Sequence, residues 1–122
     1  MTPVHTPTTD LKIGVVMPAY NAERTLERTF NELPHEMITD IILVDDASSD
    51  DTVSRAQRIP DLIVVVHQQN RGYGGNQKTC YAEALRRGAD VVVMIHPDFQ
   101  YDPRYVPDMI RPITEGRADF VM

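Results

Sequence analysis

The chain has 122 residues, enough for one domain and too few for several. Hydrophobic residues make up 42% and charged residues 25%, so the composition supports a buried core and is not that of a disordered chain. A net charge of −6 speaks against a nucleic-acid or anionic-membrane surface, while leaving room for a local phosphate site.

Residues 1–10, "MTPVHTPTTD", are polar and lack the apolar core of a signal peptide, so they read as a flexible tail ahead of a domain over 11–122. "KIGVVMP" is a short β-branched run and is predicted to be a strand ending at Pro18. "AERTLERTFNEL" places Leu26, Phe30 and Leu33 on one helical face, with Asn21 as the expected N-cap. "DIILVDD" is a second strand, and "SSDDTVSRAQRI" a second helix with acids in its first turn. "LIVVVH" is a third strand. "GNQKTCYAEALRRG" is a helix with Cys80, Tyr81, Ala84 and Leu85 on one face and Gly88 stopping it. "DVVVMI" is a fourth strand, "DPRYVPDMIRPITEG" a helix interrupted by Pro107 and Pro112, and "ADFVM" the start of a fifth strand.

Apolar strands alternating with amphipathic helices predict an α/β fold, a mostly parallel sheet with helices on both faces. No apolar run reaches the roughly 20 residues that span a bilayer. Cys80 is the single cysteine, so no intrachain disulfide forms, which fits a reducing, cytoplasmic setting.

The unusual polar residues gather where these strands end, the edge at which open parallel sheets bind ligands. Tyr20 and Asn21 follow the first strand, Asp45 and Asp46 the second, "QQNRGYGGN" the third, and His96 and Asp98 the fourth. Ser48, Ser49, Asp50 and Asp51 read as helix caps. Asp45 and Asp46 are adjacent carboxylates whose repulsion calls for a ligand, a cation or hydrogen-bond donors. A carboxylate there accepts from a base N–H or a ribose hydroxyl. The loop "NRGYGG" is either a plain turn or a close backbone approach to a phosphate, with Arg71 and Lys78 adding charge. It does not match G-x-G-x-x-G, because Gly75 follows Gly74 directly and Gln77 stands where a third spaced glycine belongs. Asp98 is a hard oxygen ligand suited to Mg²⁺ or Mn²⁺. His96 is either a second ligand, better suited to Mn²⁺, or a residue that orders the turn.

"VVMPAYNAERTL", "IILVDDASSDDT", "NRGYGGNQKTCYAEAL" and "VVVMIHPDFQYDP" together resemble the successive motifs of family 2 glycosyltransferases with the GT-A fold, nearest to the polyprenyl-phosphate mannosyl- or glucosyltransferase type. The likeness runs from about Lys12 to the last residue. It implies a Rossmann-like nucleotide-binding half, a nucleotide-diphosphate sugar as donor, and Mg²⁺ or Mn²⁺ as cofactor. On this resemblance Pro18, Ala19, Tyr20, Asn21 and Glu23 form the first nucleotide-contacting segment, and Asp45 and Asp46 hold base and ribose. Gly72, Gly75 and Lys78 lie near the diphosphate. Asp98 matches the last acid of the family's Asp-x-Asp and is the expected metal ligand, while His96 replaces the first acid and departs from the pattern.

The resemblance also implies that the acceptor site and catalytic base come from residues beyond this chain, so no catalytic residue is named. The chain reads as a donor-binding part, truncated before the acceptor half and expected to bind nucleotide without turning over. Its acceptor would be a polyprenyl phosphate or a glycan. Contact with the inner face of the membrane would come through a lipid acceptor or through other parts of the protein. The unpaired sheet edge left by a nascent fifth strand predicts self-association. The rival readings are a sugar-phosphate nucleotidyltransferase, which carries a glycine-rich loop after its first strand where this chain has "PAYNAERTL", and a non-catalytic nucleotide-binding module. A dinucleotide-binding oxidoreductase domain and a receiver domain fit the motif placement less well.

Overall fold

A computed structural model describes residues 11–97. The tail, Asp98, the helix expected over 102–116 and the fifth strand lie outside the described residues. Within them the order is β1 (Ile13–Ala19), α1 (Leu26–Asn31), a 3-10 turn (His35–Met37), β2 (Asp40–Asp45), α2 (Thr52–Gln57), β3 (Leu62–Val66), α3 (Gly72–Arg86) and β4 (Val91–Met94).

The four strands form one parallel sheet in the order β3-β2-β1-β4. Val16 lies beside Ile42 on one side and Met94 on the other, so β1 is central and every residue in it is buried. The expected Rossmann-like α/β architecture is therefore present. β3 borders the sheet and is only half-buried, with Val66 exposed at its end.

Each face of the sheet carries its own core. Val15, Met17 and Leu43 point to one side, where Leu26 of α1 and Ala56 of α2 cover them. Val16, Ile42 and Val44 point to the other, covered by Cys80 and Ala84 of α3. This alternation is the two-residue period of a strand. Full burial of a side chain such as Leu26 contributes about 1.5–3 kcal/mol.

All three helices start elsewhere than the sequence suggests, and each shift has a local cause. Asn21 does not cap α1. Its φ of 53° is left-handed, and its side-chain oxygen accepts the Ser49 N–H at 2.9 Å across the fold. The chain makes a turn from Ala22, with the Leu26 N–H donating to the Ala22 carbonyl, before α1 begins. Ser48 does not start α2, because Asp45 holds it. Asp51 stands at the N-cap without a side-chain bond, and Asp50 before it accepts the Thr52 N–H at 3.0 Å.

α3 begins at Gly72, three residues before the expected start, so "GYGG" is its first turn and not an open loop. Side chains supply the acceptors that a helix N-terminus lacks. Asp46 accepts the Arg71 N–H at 2.7 Å and the Asn70 side chain accepts the Gly72 N–H at 2.9 Å. Along α3 the buried face is Asn76, Cys80 and Ala84, while Tyr81 and Leu85, expected on the face of Cys80 and Ala84, are half-buried and exposed respectively. Gly88 ends the helix as predicted, at φ 87°, and the Ala89 N–H reaches back to the Ala84 carbonyl.

Candidate functional site

The connections β1 to β2 to β3 run outward in one direction, and α3 then returns the chain across β2 and β1 to place β4 on the far side. The strand order reverses between β1 and β4, and at that point the carboxyl ends of a parallel sheet open a crevice. A cleft of about 270 Å³ lies there. The end of β1 supplies Pro18, Ala19 and Tyr20, and the end of β2 supplies Asp46. Gly72, Tyr73 and Asn76 come from α3, and His96 and Pro97 from the exit of β4. The Thr25 hydroxyl donates to the Pro97 carbonyl, tying that exit to the start of α1.

Asp46 is the most constrained of these groups. It is 3% exposed, and its Oδ1 accepts both the Arg71 N–H at 2.7 Å and the Nδ1–H of His67 at 2.9 Å. Burial by itself raises its pKa. The Arg71 amide, the His67 ring and the Gly72 amide outweigh that effect and hold the carboxyl below the ordinary aspartate value. Asp46 is thus an anion, able only to accept hydrogen bonds, beside the cleft.

Asp45 serves differently. It is fully buried, and its oxygens accept the Ser48 N–H at 2.9 Å and the Ser48 hydroxyl at 2.5 Å. The repulsion between the two adjacent acids is therefore offset by protein donors on both sides.

Of the residues expected from the sequence, Pro18, Ala19, Tyr20, Asp46, Gly72 and His96 line the cleft. Asn21, Glu23, Asp45, Gly75 and Lys78 do not. Asn21 and Glu23 brace the β2–α2 loop, the latter through its N–H to Asp50 and its carboxylate 3.9 Å from Arg55. Gly75 lies within α3 beneath Arg71, since a Cβ there would come 2.7 Å from the Arg71 Cβ. Lys78 is exposed on α3.

Several residues escaped the sequence reading. Tyr73 lines the cleft and its hydroxyl lies 3.0 Å from His96 Nε2. Asn76 lines it too, and its amide donates to the Val44 carbonyl at 2.9 Å. Asn76 was detectable as a polar residue one turn before Cys80 on a buried helical stripe. His67 and Thr79 lie behind Asp46. His67 was detectable from register, because Asp45 pairs with Val66 and the next residues along are Asp46 and His67.

His96 directs Nε2 to the Tyr73 hydroxyl, Asp98 lies outside the described residues, and among the described residues no three His, Cys, Asp or Glu side chains stand together as a metal site. Tyr20 and Tyr73 are each 56% exposed, so both offer aromatic surface to a ligand.

Residues 14–122 match the sequence profile of glycosyl transferase family 2. The chain belongs to that family. Among curated relatives of this family 2 chain is the UDP-N-acetylglucosamine–dolichyl-phosphate N-acetylglucosaminyltransferase of Methanococcus voltae, 29% identical over 93% of this chain and 51% of the relative. Another is the undecaprenyl-phosphate 4-deoxy-4-formamido-L-arabinose transferase of Proteus mirabilis, 33% identical over 86% of this chain and 34% of the relative. The chain thus spans about half the length of the first and about a third of the second. Among solved structures, glucosyl-3-phosphoglycerate synthase from Mycobacterium tuberculosis in complex with Mn²⁺, UDP-glucose and phosphoglyceric acid superposes with a TM-score of 0.75 at 26% identity. That match covers 90% of this chain and 42% of the synthase.

Proposed function

We propose that this family 2 chain forms the donor-binding part of a glycosyltransferase that moves a sugar from a nucleotide-diphosphate sugar to a polyprenyl phosphate. The observation that carries the reading is Asp46, an ionised, buried carboxylate fixed by protein donors in a cleft at the sheet's reversal point. An acceptor-only group there suits the N–H edge of a base such as uracil or guanine. Support for uridine comes from the archaeal relative and the mycobacterial synthase, whose names carry UDP-linked sugars. Support for a lipid phosphate acceptor comes from the dolichyl- and undecaprenyl-phosphate relatives.

In the transfer, an acceptor oxygen attacks the anomeric carbon as the bond from that carbon to the diphosphate oxygen breaks, and the nucleoside diphosphate leaves with the electron pair. A phosphate acceptor is already anionic, so its attacking oxygen carries no proton to remove. The chain's part is to hold the base at Asp46, to cover it with Tyr20 or Tyr73, and to direct the diphosphate toward the exit of β4. A divalent cation held by Asp98, with His96 beside it, would stabilise charge on the departing diphosphate. A lipid-linked acceptor places the reaction at a membrane surface. No helix among the described residues is long and apolar enough to cross a membrane.

Calorimetric titration of UDP, GDP and ADP, each with and without Mn²⁺, tests this reading. UDP binding that Mn²⁺ strengthens is expected. Equal or absent binding of all three would overturn it.

A further inference from the structure

We propose that His67 is a positioning residue for the donor site, fixing the orientation of the Asp46 carboxylate from behind. The inference rests on the reading of the cleft as a nucleotide site.

His67 directly follows β3 and Asp46 directly follows β2; Asp45 pairs with Val66, and the His67 N–H donates to the Asp45 carbonyl at 2.8 Å, which brings the two residues side by side. Both are nearly sealed from solvent, His67 at 4% and Asp46 at 3% exposure. A carboxylate at a strand end turns about its last side-chain bond unless its neighbours stop it. Here two donors converge on Oδ1, the Arg71 N–H from the start of α3 and the His67 Nδ1–H from the end of β3. Two donors from different elements on one oxygen fix the plane of the group, and hence where its second oxygen stands. Because the carboxylate is ionised, the proton on this hydrogen bond belongs to Nδ1, which settles that half of the imidazole's arrangement.

The other half runs into α3. His67 Nε2 lies 2.8 Å from the Thr79 hydroxyl, which is itself 3.2 Å from the Gly75 carbonyl. Hydrogen bonds therefore tie Asp46 through His67 to Thr79 of α3, the helix whose Gly72 and Tyr73 line the same cleft. A residue needed only to fill this space would be apolar, and an apolar residue would leave Oδ1 with the Arg71 backbone alone. Histidine serves because its two nitrogens reach the carboxylate and the helix at once.

The two nitrogens can be tested separately. In His67→Asn the side-chain amide stands near the place of Nδ1 and keeps a donor for Asp46 while giving up Thr79. In His67→Gln the longer amide reaches the place of Nε2, keeping Thr79 and giving up Asp46. UDP is titrated calorimetrically into the purified protein and both variants with Mn²⁺ present, and urea midpoints are measured in parallel. His67→Gln is expected to lose about tenfold in UDP affinity, and His67→Asn to regain most of that loss, even where the two midpoints agree. Affinities that follow the midpoints, or that equal the parent in both variants, would overturn the positioning role. Asp46→Ala separates the two levels. If it binds UDP like the parent, the nucleotide reading of the cleft falls and the proposal with it. If it binds weakly while His67→Gln binds normally, only the positioning role falls.

Discussion

Asp45 and Asp46 are consecutive in the chain, yet their carboxylates are held by different parts of the fold. Asp45 is closed by Ser48 on the loop leading to α2, and Asp46 by Arg71 and His67 at the start of α3 and the end of β3. The alternation of side chains at the end of β2 sends one acid to bind the loop and the other to the cleft.

That division predicts opposite phenotypes. Asp46→Ala should weaken UDP binding by about ten- to a hundred-fold, the equivalent of about 1.5–3 kcal/mol for a charged hydrogen bond. Asp45→Ala should leave two Ser48 donors unpaired and cost about 1–3 kcal/mol of folding stability, with a much smaller change in affinity. Calorimetry and urea denaturation on both variants read the two effects independently.

Acid should destabilise the fold through Asp46 and Asp50. Burial raises both pKa values, but hydrogen bonds from Arg71 and His67 to Asp46, and from Thr52 to Asp50, bring each below the ordinary value of 3.8. A group depressed in the folded state is still ionised when its unfolded counterpart takes up a proton. The stability it contributes is complete above the unfolded pKa and is lost as pH falls through the folded one. Urea midpoints should therefore hold steady down to about pH 5 and drop below about pH 4. Asp46→Asn and Asp50→Asn should each flatten that fall, and an unchanged acid limb in both would contradict the assignment.

Two adjacent glycines in α3 should respond in opposite ways to alanine. A Cβ at Gly74 meets nothing within 4 Å, so Gly74→Ala should stabilise the helix by about 0.5–1 kcal/mol. A Cβ at Gly75 would press on the Arg71 Cβ at 2.7 Å and shift the residue whose N–H holds Asp46. Gly75→Ala should lower the melting temperature and weaken UDP binding together. Thermal unfolding of the two variants checks the sign of each.

Chelation with EDTA should reduce UDP affinity in the parent protein, and Asp98→Asn should reproduce that loss and make the variant insensitive to EDTA. Affinity in Asp98→Asn that still responds to metal would place the cation elsewhere.

The parallel sheet was legible because its strands are short β-branched runs, and the edge on which the cleft opens followed because the polar residues cluster at their carboxyl ends. What the sequence concealed were pairings across distance. Nothing local says that Asn21 would turn left-handed to receive Ser49. "GYGG" reads as a loop because glycine is a poor helix former. It is helical here because Asp46 and Asn70 accept the amides that a helix start leaves unpaired. The two acids of "VDD" were likewise indistinguishable until their partners were in place.

On the proposed function, a nucleoside diphosphate lies in the cleft between the ends of β1 and β4 and the start of α3. The most direct measurement is a ¹⁵N–¹H amide titration of the labelled protein with UDP and Mg²⁺, a diamagnetic ion that leaves the signals near the site observable. The largest shifts should fall on Ala19, Tyr20, Asp46, Gly72, Tyr73 and His96, with little change at the exposed far end of α3 around Leu85. Shifts centred on the outer edge of β3, or none at saturating UDP, would contradict it.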